Sequence, residues 1–113
     1  MIGNHYRNDY HCAHFFAEWY AENLGIHIPI ERAFEISFVL WLRRNFVQIE
    51  QPEENCLIKM TTPDDRAHVG VYSNFTVWHN YKVTGTNGAV CRDSLGMIQR
   101  TYGKVTFWKW NNG

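Results

Sequence analysis

Three side chains in this sequence have the types that thiol-based acyl transfer needs: Cys12, His68 and His79. A cysteine attacks as the thiolate, so it needs a base to take its proton, and the base needs a partner that fixes its tautomer. Cys12 stands in His11-Cys12-Ala13-His14-Phe15-Phe16, where a helix should begin. First-turn N–H groups and the positive end of the helix dipole favour thiolate over thiol there. The Cys12 backbone N–H is a natural oxyanion donor. His68 would pair with the thiolate and later protonate a leaving amine. His79 would donate or accept a hydrogen bond at the far ring nitrogen of His68. The chemistry is acyl transfer through a thioester, most simply hydrolysis of an amide.

The elements around these residues must bring them together. Asp9 can cap a helix that starts near Tyr10. Cys12, Phe15, Phe16, Trp19, Tyr20 and Leu24 then follow the spacing of one helix face, with Glu18, Glu22 and Asn23 largely opposite. Gly25 suits the position that stops the helix. This puts Cys12 on the stripe that faces the core, a placement that fits a buried structural cysteine equally well. His68-Val69-Gly70-Val71-Tyr72 and Phe75-Thr76-Val77-Trp78-His79 read as two strands joined at Ser73-Asn74. A two-residue loop there sets 72 against 75, 70 against 77 and 68 against 79. The two histidines would sit directly across from each other, on one face with Gly70. A missing side chain at Gly70 would let another element, such as the Cys12 helix, come close. Val69, Val71 and Trp78 point to the other face.

The remainder reads as scaffold. Residues 26–30 form a Pro-containing connection, and residues 31–45 a helix that is apolar almost all round, buried on more than one side or carrying a patch for a partner. A strand over 46–50, a turn over 51–55, a short strand over 56–60 and a polar loop over 61–66 follow. After the hairpin come a turn at residues 85–88, a short strand over 89–91, a helix capped by Asp93 or Ser94 and ended by Gly103, and a last strand over 104–110. The plan is α+β, a helix bearing the cysteine packed on an antiparallel sheet bearing the two histidines, in one domain spanning residues 1–113.

Composition narrows the partners. Eleven basic and eleven acidic residues cancel, which leaves no electrostatic case for nucleic acid. Arg43-Arg44 reads as a helix end. No stretch approaches ~18 apolar residues, so no membrane span is expected, and the first residues show no secretory pattern. The cysteines at 12, 56 and 91 are odd in number and form no CxxC, so Cys56 and Cys91 read as buried, inert thiols. His5, His11 and His14 near Cys12 match no zinc spacing, and His5 and His27 read as surface residues. No metal and no cofactor is expected.

One resemblance joins these pieces. Tyr6-Arg7, Tyr10-His11-Cys12-Ala13-His14-Phe15, Tyr20, Leu24-Gly25-Ile26-His27-Ile28-Pro29, Ala67-His68-Val69-Gly70-Val71-Tyr72 and Val77-Trp78-His79 occur in this order. From about residue 5 to residue 80 the chain resembles the NlpC/P60 family of papain-like cysteine peptidases, especially its small phage tail-associated members. The resemblance implies a papain-like fold, with Cys12 as nucleophile, His68 as base, His79 as the third polar residue and Tyr6 near the oxyanion and substrate. It implies cleavage of peptide-stem amides in peptidoglycan, with phage tail proteins as partners and a place in the virion tail, or in the host cytoplasm before assembly. His11 stands where the family commonly has Asp or Asn, His14 is bulkier than the usual residue, and Glu54-Asn55 replaces a Gly-Asp pair. These departures bear on substrate choice and activity. Acyl transfer to another acceptor and glutamine deamidation use the same residues. A catalytically idle assembly module of a phage tail is the rival, since the same fold can be kept with the site unused.

Overall fold

The computed structural model describes residues 12–28, 38–61, 67–81 and 89–111. In chain order these form α1 (Cys12–Leu24), α2 (Phe38–Asn45), β1 (Phe46–Ile49), β2 (Leu57–Thr61), β3 (Ala67–Ser73), β4 (Thr76–Tyr81), β5 (Ala89–Ser94), α3 (Leu95–Thr101) and β6 (Lys104–Trp110). The strands make one antiparallel sheet in the order β1-β6-β2-β3-β4-β5, so the last strand inserts between the first two. The architecture is α+β, as expected.

Alternation along each strand feeds two separate cores. On one face Phe15, Phe16 and Tyr20 of α1 and Trp41 and Leu42 of α2 pack with Phe46, Leu57, Val69, Val71 and Trp108. On the other, Ile98 of α3 and the following Tyr102 pack with Cys56, Ile58, Met60, Val77 and Phe107. Each fully buried side chain of this size contributes about 1.5–3 kcal/mol. The apolar run Cys56-Leu57-Ile58 follows from this, because β2 is covered on both sides.

Gly25 ends α1 at φ +66°, the left-handed conformation expected of it, and the Ile26 N–H closes the turn onto the Tyr20 carbonyl at 3.2 Å. The described part of α2 buries Trp41 and Leu42 and leaves Val39 and Leu40 about two-fifths exposed. Residues 31–37 of the expected helix, like the turn at 85–88, lie outside the described residues. β5 runs on to Ser94 rather than ending at Cys91, and Ser94 is the cap of α3, its hydroxyl accepting from the Met97 N–H at 3.1 Å.

The β3–β4 hairpin differs from the expectation by two residues. The register is 70 against 79, 71 against 78, 72 against 77 and 73 against 76. The loop is therefore Asn74-Phe75, not Ser73-Asn74, and both residues have positive φ (57° and 64°), as a type I′ turn requires. Glu54 holds this turn in place: its carboxylate accepts from the Ser73 hydroxyl at 2.5 Å and from the Asn74 N–H at 3.0 Å. A slip of two residues keeps every side chain on its expected face. His68 and His79 thus share a face but meet diagonally.

Phe75 is 83% exposed, so its ring contributes little burial, while an aromatic residue in the left-handed region costs roughly 1–2 kcal/mol. Phe75→Gly creates the Asn-Gly pair that this turn prefers. It should raise stability by about 1 kcal/mol, read as a higher urea midpoint at unchanged m-value; a lower midpoint contradicts the turn assignment.

Candidate functional site

His68 lies in the first half of β3, and His79 in β4. The His68 Nε2 and the His79 Nδ1 are 2.9 Å apart, and the rings meet edge to face with centroids 5.0 Å apart. His68 also stacks on Tyr102, at 5.8 Å and 19°, so α3 and the turn after it wall the pair on one side. Gly70 sits directly opposite His79. A Cβ there would lie 2.6 Å from the Trp78 carbonyl oxygen and 3.0 Å from the His79 Cβ. Its small size therefore serves β4 and the histidine contact, which corrects the expectation that it makes room for the Cys12 helix.

The chain of contacts continues into β5. His79 Nε2 is 2.8 Å from Asp93 Oδ2. Cys91, paired directly with His79, places its sulfur 3.5 Å from the same nitrogen and 3.8 Å from the same oxygen. A strand that ends at Cys91 leaves Asp93 outside the site, whereas β5 carries it to Ser94. The available signal was the alternation Cys91-Arg92-Asp93, which aims both at the strand bearing His79. Asp93 keeps 40% of its side-chain surface, so its charge is partly hydrated, whereas His79 is 2% exposed.

Electrostatics follow from this burial. Desolvation, helped by His79, pushes His68 down to about 3. His79 is also lowered by burial, against the opposing pull of Asp93. Both rings are neutral near pH 7, which leaves one bare nitrogen on each. Burial, with the Asp93 charge, pushes the Cys91 thiol up to about 11. Burial takes Cys56 to about 11, against the opposing pull of its hydrogen bond with the Glu53 backbone and with smaller help from the Glu53 and Glu54 charges. Cys56 is buried as expected, whereas Cys91 is half-buried, which corrects that part of the expectation.

His79, Cys91 and Asp93 offer three ligand types within 4.8 Å, the set among the described residues that could take a metal ion. Around tetrahedral zinc a nitrogen and an oxygen ligand stand about 3.4 Å apart. The 2.8 Å between Nε2 and Oδ2 is shorter than that and is a hydrogen-bond distance.

Helix α1 crosses β3 and β4 on the face opposite the histidines, with Trp19 against Trp78 at 5.5 Å and Phe15 and Phe16 in the core with Val69 and Val71. Asn55, at φ 66°, anchors it, accepting from the Trp19 Nε1–H at 3.2 Å on its side chain and from the Tyr20 hydroxyl on its carbonyl. The Glu54-Asn55 pair thus has structural work of its own, at the hairpin turn and at α1. Cys12 is the first residue of α1; its side chain, like Tyr6, His5, His11 and the His14 side chain, lies outside the described residues. His27 is exposed, as expected.

No protein-family model, no curated protein and no solved structure matches this chain. Among the described residues no helix is long and apolar enough to cross a membrane.

A histidine whose folded pKa lies below its unfolded value takes up its proton on unfolding as pH falls. Stability is then full above about pH 6.5 and is lost below it, down towards about 3 for His68. The slope is at most about 1.4 kcal/mol per pH unit for each proton taken up, reduced at half-buried His68 by solvent screening. Urea midpoints should fall from pH 7 to pH 5 in the parent and change less in the His68→Gln/His79→Gln variant. Equal pH dependence in the two proteins contradicts the buried, neutral pair.

Proposed function

We propose that this chain is a papain-like cysteine hydrolase of the NlpC/P60 kind that cleaves peptide-stem amide bonds of peptidoglycan, in association with a phage tail. Cys12 is the nucleophile, His68 the base, His79 its partner, and Tyr6 contributes near the oxyanion. The observation that carries the reading is the 2.9 Å contact between His68 and His79. It joins the two histidines whose sequence setting resembles the family, and it occupies Nε2 of His68. The Nδ1 atom is thereby left for a thiol.

The steps follow from these roles. Cys12 Sγ bonds to the scissile carbonyl carbon as its proton passes to His68 Nδ1. The carbonyl oxygen becomes an oxyanion facing the N–H groups at the start of α1. The C–N bond then breaks, and the amine leaves with the proton from His68. Water attacks the thioester with His68 as base, which releases the acid and restores the thiol. His68 starts neutral, and the adjacent thiolate charge holds the proton it gains.

A second reading has its own support. The packed side chains of α1 lie on the sheet face away from the histidines, and Val39, Leu40 and Phe75 are exposed. Both features suit a catalytically idle assembly module with the same fold.

Iodoacetamide labelling separates the two, with internal references. Thiols at about 11 are roughly one part in ten thousand thiolate at pH 7, against a few per cent for an ordinary thiol. A hydrolase should label Cys12 at least about a hundredfold faster than Cys56 and Cys91, an advantage that His68→Ala abolishes. Cys12 labelling as slow as the other two, unchanged in His68→Ala, favours the assembly module. Release of stem-peptide products from peptidoglycan fragments then tests the substrate.

A further inference from the structure

We propose that Asp93 is a positioning residue that acts through His79 to fix the tautomer of His68, making Nδ1 of His68 its proton-accepting atom. The proposal rests on the hydrolase reading for its consequence, but its geometry stands apart from it.

A carboxylate can only accept a hydrogen bond. At 2.8 Å from Asp93 Oδ2, His79 Nε2 must therefore carry a proton. A neutral imidazole has a single N–H, so His79 Nδ1 is bare and can only accept. His68 Nε2, 2.9 Å from it, must then be the donor. With that proton placed, the lone pair of neutral His68 is on Nδ1. One anion on β5 thus sets the direction of two successive hydrogen bonds across β4 to β3. Cys91 does not compete for this role: its S–H donates to the Asp93 oxygen at 3.8 Å, which leaves its sulfur, 3.5 Å from His79 Nε2, only to accept. Among the described residues Tyr102 also faces His68 and stacks on it.

The arrangement also explains why the relay needs its own strand register. Cys91 and His79 are a direct cross-strand pair, and Asp93 is the next residue of β5 on the same face. His68 reaches His79 diagonally past Gly70, where any Cβ would crowd the His79 Cβ at 3.0 Å.

Nitrogen-15 NMR of the imidazoles at pH 7 reads the tautomers directly, in the parent, Asp93→Asn and Asp93→Ala. The parent should show His68 and His79 both as the Nε2–H form. Both variants should lose this preference at His68, with Cys12 labelling slowed at least about tenfold. A parent in which His68 is the Nδ1–H form overturns the proposal without any variant. Unchanged His68 tautomers in both folded variants overturn it as well. Tautomers that shift while Cys12 labelling stays constant support the relay and overturn the hydrolase reading instead.

Discussion

Every central strand of this sheet has to serve two cores at once, and that obligation shapes the site. In β3, Val69 and Val71 belong to the core under α1 and α2, while His68, Gly70 and Tyr72 belong to the face under α3. In β4, Trp78 goes one way and Val77 and His79 the other. His79, buried on this doubly covered sheet, cannot rely on water. Its hydrogen bonds must be made inside the protein, because an unpaired buried polar atom costs about 1–3 kcal/mol. His68 and His79 satisfy each other, and Asp93, open to solvent on one side, completes the series without burying an unpaired charge.

The sequence was most legible where a local pattern and a tertiary role agree. The aromatic stripe and Gly25 mark α1, Ser94 and Gly103 bracket α3, and the alternating last strand appears as β6. The faces of the hairpin were legible because side-chain direction has a period of two. The exact register was not, because that depends on a distant contact: Glu54 binds Ser73 and Asn74 and makes Asn74-Phe75 the turn. Gly70 was misread for a similar reason. A glycine in a strand signals a close approach, but only the fold shows that the approaching atoms belong to β4 itself.

Asp93 was hidden by its position. As a residue beside a helix start it looks like a cap, and Ser94 takes that role. Its carboxylate is free for His79 because β5 continues past Cys91. A long-range pairing therefore assigned an acidic residue that local rules would have used for something else. Burial was legible for Cys56 in its apolar run but not for Cys91, which is half-buried and contacts the histidine relay.

The central claim of the account is that Cys12 and His68 form one proton-sharing unit. Nitrogen-15 titration of His68 in the parent and in Cys12→Ser tests it most directly. With serine at position 12, burial should keep His68 neutral well below pH 5, consistent with its fall to about 3. In the parent, neutral His68 should sense Cys12 losing its proton, so its nitrogen-15 shifts should carry a step at the thiol's ionisation that Cys12→Ser lacks, and the two curves separate. Superimposable curves would contradict the claim, because His68 would then have no electrostatic knowledge of Cys12.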